Sequence, residues 1–204
     1  MTPLSALILN CTLKRSPAPS NSEALARVVG DALVAGGATS EVIRVVDHVV
    51  HPGVTTDEGD GDEWPRIHGK ILAAEILVIA TPIWLGQPSS VSKRVLERMD
   101  AMLSETDAAG RPVAFDRVAG FVVTGNEDGA HHVVAELAQG LADIGYTIPG
   151  QSSTYWHLGP GPGPDYLDET QGHDWAHRTG RNAAANLIAV ANALRAKGMP
   201  VPES

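Results

Sequence analysis

Three stretches of this chain gather residue types suited to holding a phosphorylated, flat-ringed ligand. The first, CTLKRSPAPSNSE over residues 11–23, sets Thr12, Ser16, Ser20, Asn21 and Ser22 ahead of a helical pattern, with Lys14 and Arg15 among them. Hydroxyl and amide donors beside the unpaired N–H groups and positive end of a helix make an anion cradle. Lys14 and Arg15 add the positive charge that a dianionic phosphate needs in an otherwise acidic chain. Taken alone, Ser20 or Asn21 has a plainer reading as a helix N-cap.

The second stretch, TPIWLGQPSS over residues 81–90, combines Pro82, Ile83, Trp84, Leu85 and Gly86. Two prolines fix a backbone that can lie against a planar ring, and Gly86 permits close approach. An isoalloxazine offers carbonyl oxygens and ring nitrogens along one edge, to which N–H groups at Trp84, Leu85 or Gly86 can donate. A core or interface aromatic is the alternative reading of Trp84. The third stretch, TGNEDGAHH over residues 124–132, presents Thr124, Gly125, Asn126 and Gly129 to the pyrimidine edge of such a ring. Its plainer reading makes Asp128 the cap of the following helix.

These stretches matter because of where the elements place them. Leu4 to Asn10, Ile76 to Ala80 and Val118 to Val123 are short, nearly continuous apolar runs, as in strands buried on both faces of a parallel sheet. Each of the three loops follows one of these runs. Glu41 to Val46 reads as a further strand, and a fifth is expected to begin at Tyr146 to Ile148. Helical spacing recurs at Leu25 to Leu33, Trp64 to Ala74, Val91 to Met102, Val133 to Ile144 and His173 to Lys197. Strands alternating with helices predict an α/β fold: one doubly wound five-stranded parallel sheet over residues 1–204, with helices on both faces. Ligands of such sheets bind outside the carboxyl ends of the strands, where strand order reverses. The acidic stretch 47–62 reads as a loop of little functional weight, and GPGPGP makes residues 157–172 an irregular surface loop.

Composition excludes several classes. A formal charge of -9 argues against nucleic acid as a partner, and one cysteine, Cys11, permits no disulfide framework. The apolar stretch from Ile76 to Leu85 is too short for a membrane span and contains Pro82, so no membrane insertion is expected. With no charged-then-apolar leader at the N-terminus, we expect a cytoplasmic protein. Cys11 has proline, not arginine, six positions on, which disfavours phosphatase chemistry and leaves a small buried thiol. His173 and His177 sit one helical turn apart but lack a third ligand, so no metal site is expected. No G-x-S-x-G elbow occurs, and the glycines of GPGPGP do not form a dinucleotide fingerprint. Tyr155 and Trp156 are possible ring neighbours, or else pack under the Gly-Pro loop.

From Leu4 to Tyr155 the chain resembles the NADPH-dependent FMN reductase family of the flavodoxin-like superfamily. Thr12, Lys14 and Ser20-Asn21-Ser22 match the family's phosphate loop, TPIWLGQPSS its T-P-x-Y/W-x-G-x-x-P/S loop, and TGN its third glycine-containing loop. The resemblance implies a flavodoxin-like fold, bound FMN, NADPH or NADH as co-substrate, a homodimer, and hydride transfer to a small-molecule electron acceptor such as free flavin or a quinone. Here the first loop is longer and richer in proline than the family's, lysine stands where arginine is usual, and the GPGPGP insertion is extra. No side chain needs to act as acid or base, so no catalytic residue is named. Two alternatives stay open: a flavodoxin-type carrier of single electrons, and a flavodoxin-fold binding module without redox activity.

Overall fold

The computed structural model describes residues 2–202. Its elements are β1 (Ser5–Asn10), α1 (Asn21–Ala35), β2 (Thr39–Arg44), α2 (Trp64–Ala73), β3 (Ile76–Trp84), β4 (Gln87–Pro88), α3 (Ser90–Met99), β5 (Val118–Thr124), α4 (Ala130–Ile144), β6 (Ser153–Trp156) and α5 (His173–Ala196). Five strands run parallel in the order β2-β1-β3-β5-β6, and the two-residue β4 pairs antiparallel with β3. The chain steps from β1 outward to β2 and then returns to the other side of β1 as β3. Strand order therefore reverses between β1 and β3, and their carboxyl ends are where a crevice opens.

The sheet is doubly wound because its strands are apolar on both faces. Alternate residues Leu7, Leu9, Leu77, Ile79 and Phe121 point to a core closed by Ile67 and Ile71 of α2, Val95 and Met99 of α3, and Leu137 and Leu141 of α4. The intervening Ala6, Ile8, Val78 and Val122 join Leu25, Val29 and Leu33 of α1 and Leu187 and Ala191 of α5 on the other face. This is the period-two split that a continuous apolar run produces when both sides are covered.

One strand differs from expectation. Tyr146 to Ile148 does not begin the fifth strand: Thr147 forms an isolated bridge with Val118, and the sheet resumes only at β6. Pro149 supplies no N–H for a ladder, and Gln151 turns the chain with φ 54°. Likewise the predicted second strand ends earlier, because Val45–Asp47 winds into a short 3-10 turn.

The segment between β2 and α2 is also more than a loose loop. Arg98 of α3, fully buried, donates to the carbonyls of His51 (2.9 Å) and Thr55 (3.1 Å), and its Nη2 lies 2.7 Å from the Asp62 carboxylate. Burial alone would raise the Asp62 pKa. The Arg98 guanidinium and the N–H groups of Glu58, Trp64 and His51 outweigh it and hold the carboxyl well below the usual carboxylate range. Asp47, in the same segment, accepts from Ser16 Oγ (2.6 Å) and Ser16 N (2.9 Å), which ties this segment to the loop after β1. The segment is thus braced on α3 at one point and on the loop after β1 at another.

No helix of the described residues is long and apolar enough to cross a membrane. Nor do the described residues include a group of three His, Cys, Asp or Glu side chains placed to hold a metal ion.

Candidate functional site

A cleft opens at the carboxyl ends of β1, β3 and β5, at the switch point. Thr12, Lys14, Asn21 and Ser22 form one side, Pro82, Ile83 and Trp84 another, and Thr124, Gly125 and Asn126 a third. Leu13 and Asp165, neither of them singled out from sequence, complete the lining.

The loop after β1 is held by a partly buried polar network. Asn10, at the end of β1 and fully buried, uses its amide to donate to Glu23 Oε2 (2.9 Å) and its carbonyl to accept from Thr12 N (3.2 Å). Arg44, from β2, donates to Glu23 Oε2 through Nε (3.0 Å) and Nη2 (2.6 Å), and its Nη1 reaches the carbonyls of Ala18 (2.8 Å) and Lys14 (3.3 Å). Burial pushes the Glu23 carboxyl up, but the Arg44 and Arg27 guanidiniums outweigh it and keep it below its ordinary value. The guanidinium fork thus satisfies two loop carbonyls and one carboxylate at once. Asn10 escaped sequence reading; the one signal was an amide closing a strand buried on both faces, where a polar group must find partners.

Ser20 is the N-cap of α1, its Oγ accepting from Glu23 N (3.2 Å), and it lies outside the cleft lining. The capping alternative is the one realised at that position. Asn21 and Ser22 open the helix and face the cleft. The Asn21 carbonyl accepts from Leu167 N (3.2 Å), leaving its two amide hydrogens for a ligand. Ser22 Oγ and Thr124 Oγ1 are 2.9 Å apart and buried, so one hydroxyl donates to the other and one hydrogen of the pair is left over. Lys14 lines the cleft and forms no salt bridge among the described residues. These donors and this charge fit a phosphate at a helix N-terminus.

The second loop is a hairpin rather than an open drape. β3 continues to Trp84, β4 pairs back through Trp84↔Gln87, and the two turn residues Leu85 and Gly86 have φ 52° and 72°. Positive φ at both positions is the mark of a type I′ hairpin turn. Trp84 is 49% exposed and lines the cleft, whereas Leu85 is 90% exposed and lies outside it, as does Gly86. The Leu85 N–H, expected to serve a ring, donates instead to Glu127 Oε1 (2.6 Å). Gly129 is likewise outside the lining: it caps α4 with φ 113°, and a Cβ added to it would stand 2.8 Å from Gly86 Cα. Leu85, Gly86 and Gly129 therefore join the second loop to the third, and Asp128 is not the cap of α4.

The remaining sequence candidates fall elsewhere. Cys11 is buried with its thiol pushed up by desolvation, which leaves it inert as a nucleophile. Trp156 packs under the Gly-Pro loop, donating from Nε1 to the Gln171 carbonyl (2.8 Å). Tyr155, on the opposite face, stacks on His157 at 5.6 Å and meets His131 edge-on. His173 and His177 both turn to Tyr166, the first stacked on it at 4.0 Å and the second 2.7 Å from its hydroxyl.

The family profile described as NADPH-dependent FMN reductase matches residues 5–159. An 8-demethyl-8-aminoriboflavin-5'-phosphate synthase from Streptomyces davaonensis is 38% identical over 175 residues, which cover 81% of this chain and 68% of that protein. A crystal structure of RosB with a bound intermediate, 8-demethyl-8-formylriboflavin-5'-phosphate, superposes with a TM-score of 0.87 at 34% identity, covering 95% of this chain and 81% of that one. A divalent metal cation transporter MntH from Mycobacterium bovis is 38% identical over 206 residues, 98% of this chain. The chain spans only 30% of that transporter's length.

Proposed function

The chain belongs to the NADPH-dependent FMN reductase family, and from that premise we propose that it binds FMN in the switch-point cleft and passes electrons from NADPH or NADH to a small acceptor such as free flavin or a quinone. One observation carries the reading. A phosphate cradle, an exposed flat aromatic and a glycine-containing turn converge on one cleft from three separate strand ends. FMN held there would supply two-electron redox chemistry between a nicotinamide and the acceptor. The chain's own tasks are to hold and orient. Lys14, the Asn21 amide and the α1 N-terminus hold the phosphate, Trp84 sets one wall for the ring, and Gly125 and Asn126 close the other. We extend the proposal to a homodimer, with the exposed Leu85 turn beside the cleft as apolar surface for the second copy; light scattering of the purified protein tests it.

The visible spectrum is the primary test. Purified protein reconstituted with FMN is expected to show a flavin band that bleaches on anaerobic addition of NADPH or NADH and returns with a quinone. A band that persists against both nicotinamides would favour a carrier of single electrons over a reductase. Failure to take up flavin at all would sink the proposal.

A more local prediction concerns the cradle. Asn21→Ala with Ser22→Ala removes two of the side chains proposed to donate to the phosphate, and charge-assisted hydrogen bonds contribute roughly 1.5–3 kcal/mol each. FMN affinity is expected to fall by at least tenfold, and that of riboflavin, which lacks the phosphate, far less. Equal losses for both flavins would mean that the phosphate lies elsewhere.

A second reading is favoured by the relatives. A synthase of a modified riboflavin phosphate is 38% identical, and the RosB structure, 34% identical, holds such a flavin. In this reading the flavin in the cleft is itself the substrate. Mass spectrometry of flavin recovered after turnover discriminates: unchanged FMN supports the reductase, and an altered ring the synthase.

A further inference from the structure

The segment after β6 crosses the mouth of the same cleft. Gly161 (φ 64°) lies so close to the third loop that a Cβ there would stand 2.4 Å from the Asn126 carbonyl oxygen, which only glycine avoids. Two residues on, Gly163 N donates to that carbonyl (2.7 Å). At the far side Leu167 N donates to Asn21 Oδ1 (3.2 Å) at the start of α1. Between these anchors Tyr166 turns inward: it is buried, stacks on His173, and its hydroxyl meets His177 Nε2 at 2.7 Å. A strap fixed at both ends and in the middle leaves Asp165 little freedom of position.

Asp165 is half-buried and lines the cleft together with Lys14, Asn21 and Asn126. Among the described residues no side chain or backbone donor reaches its carboxylate. A carboxylate without protein donors keeps its acceptor positions for hydroxyl groups of a ligand. Its place along the strap falls between the residue held by the third loop, beside the ring wall, and the residue held at α1, beside the phosphate cradle. A ligand that fills both ends would run its connecting chain along the lining to which Asp165 contributes.

We infer that Asp165 accepts hydrogen bonds from the hydroxyl groups of the ribityl chain that joins the phosphate of FMN to its ring, and so selects flavins that carry that chain. The inference rests on the FMN reading above and deepens it. A carboxylate there serves a polyol and repels a second anion, so Asp165 also keeps the phosphate at the Lys14 end of the cleft.

Titration of wild-type protein, Asp165→Ala and Asp165→Asn with FMN, riboflavin and lumiflavin, followed by flavin fluorescence, tests it. Lumiflavin has the ring without the ribityl chain. The alanine variant is expected to bind FMN and riboflavin about tenfold more weakly and lumiflavin as the wild type does, a loss in keeping with hydrogen bonds to a charged acceptor. Asparagine, which keeps one acceptor oxygen, is expected to recover part of that affinity. Unchanged FMN affinity in both variants, or an equal loss for all three flavins, overturns the inference while leaving FMN binding intact. Wild-type protein that binds none of the three overturns the flavin reading and this one with it.

Discussion

Replacing Arg98 with leucine is expected to lower folding stability by about 3–5 kcal/mol, because it strands the Asp62 carboxylate in the interior without its counter-charge. Both side chains of the pair are wholly buried, so water cannot take over the lost interaction. The carbonyls of His51 and Thr55 lose their donor at the same time. For a chain of this length the melting temperature should fall on the order of 10 °C. Chemical denaturation with an unchanged denaturant slope would show that stability, not the extent of unfolding, had moved.

The acid limb carries a second signature of the same pair. The Asp62 pKa is depressed in the folded protein, so its contribution is fully present above the unfolded-state value of about 3.9 and is lost as pH falls through the folded value. Removing Arg98 raises the folded value, and the acid transition of the variant should begin at higher pH than that of the wild type. A variant that loses less than about 1 kcal/mol, with its acid transition unmoved, would show that the pair is solvated in solution. Function should suffer indirectly. Asp47 in the segment that Arg98 braces holds Ser16 of the loop after β1, so slackening there reaches the proposed phosphate cradle.

Arg98 also marks where sequence reading stops. The apolar runs that became β1, β3 and β5 were legible because burial on both faces leaves no polar alternation, and three loops at their ends followed from topology alone. Thr12, Lys14, Asn21, Ser22, Pro82, Ile83, Trp84, Thr124, Gly125 and Asn126 do converge on one cleft. What was illegible depends on partners distant in sequence. Arg98 sits on a helix with an ordinary amphipathic pattern, and nothing local says that its partner is Asp62. Asp165 reaches the cleft only because Gly161 and Gly163 dock on Asn126, a contact invisible in a stretch that reads as surface loop. The fifth strand was misplaced for a local reason, since Pro149 ended a β-like pattern that sequence alone let run on.

The second large effect is expected at Gly129. This residue has φ 113°, where a side chain costs roughly 1–2 kcal/mol, and a Cβ there would stand 2.8 Å from Gly86 Cα and 3.1 Å from Gly86 O. The obstacle is backbone, so it cannot rotate away. Gly129→Ala must push the β3–β4 hairpin from the third loop and break the hydrogen bond from Leu85 N to Glu127. Because Pro82, Ile83 and Trp84 lie on one side of that contact and Gly125 and Asn126 on the other, the width of the ring site changes with it. FMN affinity is expected to fall at least tenfold, alongside a stability loss of about 1–3 kcal/mol. Gly110→Ala separates the two causes. Gly110 also has positive φ, 78°, but a Cβ there meets nothing within 4 Å, and it lies outside the cleft lining. That variant should lose about 1 kcal/mol of stability and keep its flavin affinity. If both variants bind FMN equally well, the hairpin adapts, and Gly129 is required only to start α4.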